Sequence, residues 1–268
     1  ILKIMNKTVT ILFAALALSA CCSEPQGTAI VAHRGFWKCE AAGMSENSIA
    51  SLKAAQDNGF WGSECDVHLT ADSVAIVNHN HDINGAIIRE HNYAELKDSL
   101  LPNGEHRPTF DEYLDQAEKC KTTRLIIEIK PQNSDEIDDL LVHTILDAVK
   151  AHGLYSPDRV GFISFSLYSC KLIAQLAPEF LNQYLNGELS PKQLDSLGIN
   201  GLDYHKKVIT DNPEWIEQAH DLGMSTNVWT VNKREQMEQM AALKVDAITT
   251  NEPLLAREVL GESEKVNR

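Results

Sequence analysis

From residue 29 onwards, the pattern of apolar and polar positions alternates between two periods. Short runs of apolar and β-branched residues, typical of buried strands, are each followed by a segment with apolar residues at helical spacing. The short runs predict eight strands, at residues 29–33, 62–69, 124–129, 160–164, 180–185, 201–203, 225–229 and 247–249. The segments between them predict eight helices, at residues 47–58, 109–121, 135–152, 167–176, 191–197, 213–222, 233–243 and 254–260.

Eight strand–helix repeats favour a (β/α)8 TIM barrel, and a doubly wound open sheet is the alternative. One region departs from the repeat. Residues 72–79 form an additional β run after the second strand, and residues 80–108 are too long for an ordinary loop between a strand and a helix. We interpret residues 80–108 as a small insertion that forms a wall or lid of a substrate site. A single domain is expected over residues 29–262.

The first twenty residues differ from the rest and predict an export signal. Lys3 and Lys7 precede an apolar segment at residues 9–20, which is too short to span a membrane and suits a signal peptide. Residues 18–21 ("LSAC") resemble the lipobox of bacterial lipoproteins. This resemblance implies cleavage after residue 20, lipidation of Cys21 and an anchor in the bacterial cell envelope, in the periplasm or outer membrane. The alternative is an ordinary signal peptide cut near Ala20; in both cases residues 21–28 form a short polar tether.

The charge balance argues against one class of partner. The chain has 24 basic and 38 acidic side chains and a net charge of −14. An acidic protein does not bind nucleic acid by simple electrostatics, so no nucleic-acid partner is expected. No obligate protein partner is predicted either.

Polar side chains collect at the carboxyl ends of the first three predicted strands and of the additional β run. In barrels of this kind, the carboxyl ends of the strands carry the functional site. Because side chains alternate along a strand, the residues of each strand that are two apart share one face. The side chains are His33 and Arg34, then Glu64, Asp66 and His68, then His79, and finally Glu128 and Lys130.

Three of these side chains predict a metal site. Glu64, Asp66 and Glu128 would repel one another in one barrel mouth unless they are paired or bound to a cation. Carboxylate oxygens are the ligands that hard divalent cations prefer. We therefore expect one divalent cation, Mg²⁺ or Ca²⁺.

The remaining side chains suit proton transfer and anion binding. His33 and His79 can exchange protons near neutral pH. Arg34 and Lys130 can neutralise an anionic group of a substrate. Together with a hard cation, these groups favour the cleavage of a phosphodiester.

Eight short motifs occur in one order between residues 29 and 253: "HRG" (33–35), "ENS" (46–48), "ECDVHLTAD" (64–72), "IVNH" (76–79), "IIEIK" (126–130), "ISF" (163–165), "WTVN" (229–232) and "DAITTNEP" (246–253). As a set they resemble the glycerophosphodiester phosphodiesterase family. The resemblance implies a (β/α)8 barrel with a small insertion after the second strand. It also implies a divalent cation and hydrolysis of glycerophosphodiesters to glycerol 3-phosphate and an alcohol.

The resemblance also implies roles for ten residues. By the resemblance, His33 and His79 would transfer protons, and Glu64, Asp66 and Glu128 would bind the metal. Arg34 and Lys130 would bind the phosphate, Glu46 and Asn47 would support the site, and Trp229 would line the pocket. In the implied mechanism, one histidine takes a proton from the glycerol 2-hydroxyl, which attacks phosphorus. The other histidine protonates the leaving alcohol, and water then opens the cyclic phosphate with the roles reversed. The order of the two histidines stays open.

Two alignments of the second histidine are open. The family usually has His-Asp, whereas this chain has His79-Asn80 and then His81-Asp82. We prefer His79, because its spacing from the Thr-x-Asp at residues 70–72 matches the family. A shift by two residues would displace the imidazole by about 6–7 Å along the same face of the strand.

Two rival functions use the same barrel. A phospholipase-D-like enzyme acting on lysophospholipid or sphingolipid would need an apolar mouth, and the insertion offers Ile87, Ile88, Tyr93, Leu100 and Leu101 for it. A non-catalytic binding lipoprotein is the rival of another class. It is disfavoured because the expected acid, base and metal ligands are all present.

Overall fold

A closed ring of eight parallel strands surrounds the axis of the protein. The computed structural model describes residues 27–261. Its strands are β1 (Ala29–Ala32), β2 (Gly62–Leu69), β3 (Ala75–Val77), β4 (Asp82–Ile83), β5 (Ala86–Ile87), β6 (Arg124–Ile129), β7 (Val160–Ser164), β8 (Leu181–Tyr184), β9 (Gly201–His205), β10 (Ser225–Trp229) and β11 (Ala247–Thr250). β1, β2 and β6 to β11 pair in parallel, and β1 pairs with both β2 and β11, which closes the ring. The expected barrel is confirmed, and the open sheet is wrong. The expected signal peptide, Cys21 and residues 22–26 of the tether lie outside the described residues.

Helices cover the outside of the ring. They are α1 (Ile49–Asp57), α2 (Tyr93–Leu96), α3 (Phe110–Ala117), α4 (Asp135–Ala151), α5 (Leu167–Leu176), α6 (Pro191–Ser196), α7 (Lys206–Asp211), α8 (Glu214–Asp221), α9 (Arg234–Ala242) and α10 (Pro253–Leu260). The sequence pattern predicted neither α2 nor α7, and in α7 three β-branched residues in a row, Val208, Ile209 and Thr210, favour a strand over a helix. Between residues 27 and 261, no helix is both long and apolar enough to cross a bilayer.

The alternation of side chains along the strands divides the core into an inner and an outer part. Val31, Ile126 and Ile163 pack together inside the barrel. Cys65 and Ile127 point outwards and pack among the side chains of the helices. The inward positions of β2 and β6 therefore lead up to the carboxyl end of the barrel, as predicted.

The turn after β1 depends on a glycine. Gly35 has a φ of +76°, in the left-handed region that glycine adopts without strain. A Cβ atom at this position would lie 2.4 Å from Ser51 Oγ, so no larger residue fits against α1. Helix α1 begins at the cap residue Ser48, whose Oγ accepts a hydrogen bond from the Ser51 N–H at 2.9 Å.

The insertion between β2 and α3 is a folded unit with a small core of its own. β3 runs back antiparallel along the carboxyl end of β2, and β4 and β5 form a short hairpin beyond it. The side chains of Ile76, Ile83, Ile88 and Leu96 pack together inside the insertion. Ile88 is 1% exposed and Leu101 is 9% exposed. Neither side chain is therefore exposed to line an apolar mouth, and Ile88 packs in the core of the insertion instead.

Candidate active site

His33 follows β1 at the carboxyl end of the barrel, and its tautomer is fixed by its neighbours. Its Nδ1 lies 2.8 Å from Oδ1 of Asn251, and the same oxygen accepts a hydrogen bond from Trp37 Nε1 at 3.2 Å. An indole N–H can only donate, so the Asn251 atom that faces both rings must be the carbonyl oxygen. His33 Nδ1 therefore carries a proton, and Nε2 of the neutral ring is left as the basic nitrogen.

The surroundings of His33 keep its ring neutral. Burial, together with the positive charge of Arg34, lowers the pKa of His33 to about 4. At neutral pH the ring is therefore ready to accept a proton, which is the state that a general base needs.

The three predicted metal ligands come together in the barrel mouth. Carboxylate oxygens of Glu64, Asp66 and Glu128 lie within 4.8 Å of one another, and all three side chains are buried. The pairing of Asp66 opposite Glu128 places both on the inner face of neighbouring strands. Oε1 of Glu64 is buried and accepts no hydrogen bond from the described residues. A buried set of carboxylate oxygens with an unused acceptor fits a hard divalent cation such as Mg²⁺ or Ca²⁺.

The pKa values of two of these carboxyl groups are raised, because the groups are buried and lie close to one another. Burial, reinforced by the charges of Asp66 and Glu128, raises the pKa of Glu64 well above its usual value. Burial and the charge of Asp66 also raise the pKa of Glu128 to about 7. Both groups hold protons more tightly than ordinary carboxyls, and a bound cation would replace those protons.

Asp66 is the carboxyl in the cluster with the most polar partners. Burial acts to raise its pKa, but the charges of Lys130 and His79 and a hydrogen bond from Asn47 outweigh burial and lower the pKa to about 2. Lys130 Nζ lies 3.2 Å from Asp66 Oδ1 and 2.8 Å from Glu128 Oε1. Asn47 Nδ2 donates to Asp66 Oδ2 at 2.8 Å, and the Asp66 N–H donates to Asn47 Oδ1 at 3.2 Å. Asn47 therefore contacts both the side chain and the main chain of Asp66, and its supporting role stays a prediction.

Arg34 connects the cluster to the rim of the mouth. Its main-chain N–H donates to Glu64 Oε2 at 2.6 Å, and its guanidinium donates to Glu46 Oε2 at 2.8 Å. Arg34 and Asn47 have φ angles of +56° and +54°, which are unfavourable for residues with a side chain. Such backbone persists only where the surrounding structure holds it, and here the Asn47 N–H donates to the Arg34 main-chain carbonyl at 3.0 Å.

The structure brings His79 to the cluster and leaves His81 away from it. β3 leads directly to His79, and the Asn78 N–H donates to the main-chain carbonyl of Asp66 at 3.0 Å. Burial lowers the pKa of His79, and the charge of Asp66 acts on the ring in the opposite direction. His81 is exposed on the insertion. This placement supports the first of the two alignments, and the chemical role of His79 stays a prediction.

Aromatic side chains form the other half of the mouth. Trp229 is half-buried at the end of β10, and its Nε1 donates to the main-chain carbonyl of Asp203 at 3.0 Å. The ring of Trp229 meets Phe165 and His205 edge to face, with centroids 5.6 and 5.1 Å away. Trp229 therefore lies at the carboxyl end of the barrel, and its lining of a substrate pocket stays a prediction.

Sequence reasoning missed two asparagines that hold His33. Asn251 accepts from His33, and Asn232 Oδ1 in turn accepts from the Asn251 N–H at 2.8 Å. Both asparagines follow the ends of barrel strands, β11 and β10, and both lie in motifs quoted above. Their position at strand ends was the available signal.

Comparison with known proteins shows the family to which this chain belongs. The family model described as "Glycerophosphoryl diester phosphodiesterase family" matches residues 33–255, from His33 into α10. The chain belongs to this family. A crystal structure of a glycerophosphodiester phosphodiesterase from Parabacteroides distasonis is 44% identical and has a TM-score of 0.84, with 87% of this chain and 96% of that chain covered.

Two more distant proteins are also similar to this chain. A glycerophosphodiester phosphodiesterase from Caldanaerobacter subterraneus is 27% identical over 240 residues, which cover 84% of this chain and 95% of the relative. A phosphodiesterase from Oleispira antarctica, solved in complex with the product sn-glycerol-3-phosphate, is 20% identical with a TM-score of 0.72. The match covers 87% of this chain and 96% of that chain, and at this identity it shows the shared fold.

Cation binding to this family member should depend on pH. The pKa of Glu128 is about 7, above its usual value, so protonated Glu128 stabilises the cation-free fold at low pH. That stabilisation is lost as the pH rises through 7. We expect the rise in Tm on adding Mg²⁺ or Ca²⁺, measured by differential scanning fluorimetry, to be larger at pH 8 than at pH 6. In Glu128→Gln, the rises in Tm measured at pH 6 and at pH 8 should differ less from each other. A rise in Tm that is larger at pH 6 than at pH 8 in the unsubstituted protein would contradict this prediction.

Proposed function

We propose that this protein is a divalent-cation-dependent glycerophosphodiester phosphodiesterase that releases glycerol 3-phosphate and an alcohol. One observation carries the proposal. In a chain of this family, a neutral histidine with a free Nε2 shares the barrel mouth with a buried cluster of three carboxylates and with the positive charges of Arg34 and Lys130.

The state of His33 favours an order for the two histidines. His33 Nε2 accepts the proton of the glycerol 2-hydroxyl while that oxygen forms a bond to phosphorus. The bond from phosphorus to the alcohol oxygen breaks, and His79 donates a proton to the departing oxygen. Water then attacks the cyclic phosphate and gives a proton to His79, while His33 returns its proton to the 2-oxygen. Glycerol 3-phosphate results, and both histidines regain their starting states.

The other side chains of the site stabilise the negative charge of the phosphate, directly or through the cation. Glu64, Asp66 and Glu128 would hold the cation, which supplies stabilisation of the negative charge on the phosphoryl oxygens when bound. Arg34 and Lys130 neutralise charge at the edge of the same cluster.

The described residues offer little support for a phospholipase-D-like activity. Two of the apolar side chains proposed for a lipid-binding mouth, Ile88 and Leu101, are buried inside the insertion. Of the other three, Leu100 is exposed and Ile87 and Tyr93 are half-buried.

A substrate panel separates these activities. The choline, ethanolamine, glycerol and inositol glycerophosphodiesters are assayed beside lysophosphatidylcholine and lysosphingomyelin in the presence of Mg²⁺ or Ca²⁺. We expect release of glycerol 3-phosphate from at least one glycerophosphodiester, at a kcat/KM well above that for either lipid. Turnover of a lipid with no turnover of the four glycerophosphodiesters would overturn the proposal.

We further propose that the protein is exported and anchored to the bacterial envelope through Cys21. Residues 1–21 support this proposal by their basic, apolar and lipobox pattern. Eight residue steps separate Cys21 from Ala29, which is the first residue of β1 and lies at the end of the barrel opposite the carboxylates. A chain of eight steps reaches about 29 Å at most. The anchor would therefore turn the site away from the membrane, towards water-soluble diesters.

The anchor is tested by substituting the cysteine. When the gene is expressed in a bacterium that processes lipoproteins, Cys21→Ser is expected to move the protein from the membrane fraction to the soluble fraction. Cys22→Ser is the matched control and should leave the protein in the membrane fraction. Equal membrane content of Cys21→Ser and the unsubstituted protein would contradict the proposal.

A further inference from the structure

The segment that carries His79 leaves the sheet just before it reaches the site. The last paired residue of β3 is Val77, opposite Val67 of β2. Beyond His79, the chain continues into residues 80 and 81, which are exposed. The position of His79 over the cluster therefore depends on contacts other than the strand pairing.

Two inward positions of β2 supply such contacts. The main-chain carbonyl of Asp66 accepts a hydrogen bond from the Asn78 N–H at 3.0 Å. Two residues further along the same face, Nε2 of His68 lies 3.3 Å from the main-chain carbonyl oxygen of His79. The strand that supplies two of the predicted metal ligands thus also holds the chain on both sides of the Asn78–His79 peptide bond.

The chemistry of the His68 contact is determined by its acceptor. A carbonyl oxygen can only accept, so His68 Nε2 must carry the proton. His68 is 5% exposed, so its Nε2–H is directed at this carbonyl and not at solvent.

We propose that His68 is a positioning residue that fixes the main chain of His79 and thereby holds the His79 imidazole at the reacting phosphate. The inference deepens the proposed function and rests on it. His68 does not touch the substrate in this scheme, because its Nε2 proton is used by the His79 carbonyl. A displacement of a catalytic group by about 1 Å can lower the rate by up to two orders of magnitude. The loss of the hydrogen bond from His68 should therefore give a measurable fall in kcat.

Two substitutions at residue 68 separate the hydrogen bond from the space the ring fills. His68→Phe keeps a buried ring and removes the donor, whereas His68→Gln restores an N–H donor at similar reach. With the best-cleaved diester of the panel, we expect kcat to fall roughly 10-fold in His68→Phe and to stay within about 3-fold of normal in His68→Gln. KM and the cation concentration for half-activation should change less than about 2-fold in both. An equal loss in the two variants, or a loss that appears only in KM, would overturn the role.

A double-mutant cycle tests whether His68 acts through His79. If it does, adding His68→Phe to His79→Ala should cost nothing further in kcat, although the same change costs roughly 10-fold in the unsubstituted protein. Multiplicative losses would overturn the role even if His68→Phe alone is slow. Thermal unfolding of each variant controls for folding, and if His68→Phe does not fold, His68→Leu replaces it because leucine also lacks a donor.

Failure of the wider proposal gives a different result. If the unsubstituted protein cleaves no phosphodiester, the proposed function falls and the role of His68 falls with it. If it cleaves phosphodiesters and the cycle is multiplicative, only the role of His68 is wrong.

Discussion

Replacing His33 by Ala is expected to lower kcat about 10³-fold while the protein stays folded and still binds its cation. His33 is neutral because burial lowers its pKa, and its Nδ1 proton is used by Asn251, so Nε2 is the free base at the site. Alanine removes the base without touching the carboxylates. The loss should therefore appear in kcat, with little change in the cation concentration that gives half-activation.

His79 and His81 provide the matched comparison for this result. His79→Ala should be as damaging as His33→Ala, whereas His81→Ala should leave kcat and KM within about 2-fold of normal because His81 is exposed. Steady-state kinetics and thermal unfolding of the three variants decide the matter. An active His79→Ala together with an inactive His81→Ala would show that the second alignment of residues 79–82 is the right one.

Removal of the cation is expected to have the second large effect. Treatment with excess EDTA should reduce activity to about 1% or less, and Mg²⁺ or Ca²⁺ should restore it, because the charge on the phosphoryl oxygens then has a counter-charge again. Asp66→Asn should lower the response to added cation in the same assay, since Asp66 is the carboxyl of the cluster with the lowest pKa, about 2. Full activity in excess EDTA would contradict a cation-dependent site.

The chain contains its own control for nonspecific effects of charge. Asp115, Glu118 and His152 also lie within 4.8 Å of one another, but the two carboxylates are exposed on the outside of the barrel, on and beside α3. Asp115→Asn removes the same charge as Asp66→Asn. We expect it to leave activity and cation dependence unchanged, and an equal effect of the two substitutions would argue that the cation acts through the protein surface.

The alternation of side chains was enough to predict the centre of the site. Since Glu64 and Asp66 are two residues apart in a strand flanked by Cys65 and Val67, they had to share the face opposite to the apolar one. Strand β2 and strand β6 begin and end where the sequence pattern placed them. In a parallel barrel, this periodicity fixes which side chains meet at the carboxyl end.

Contacts between distant parts of the chain could not be predicted in the same way. The tautomer of His33 depends on Asn251 and Trp37, and His33 and Asn251 are 218 positions apart. No local period reports such a contact. The burial of Ile88 was missed for a related reason, because Ile88 begins a single 3-10 turn directly after a two-residue strand, and neither is long enough to show a period.

The most direct test of the central claim is a ³¹P NMR spectrum of glycerophosphocholine, and of the other three glycerophosphodiesters, incubated with the protein and Mg²⁺ or Ca²⁺. The account predicts that the diester resonance is replaced by that of glycerol 3-phosphate, that EDTA prevents the change, and that His33→Ala prevents it as well. Formation of phosphocholine and glycerol would mean cleavage on the wrong side of phosphorus. That result, or no reaction of any of the four diesters with either cation, would contradict the account.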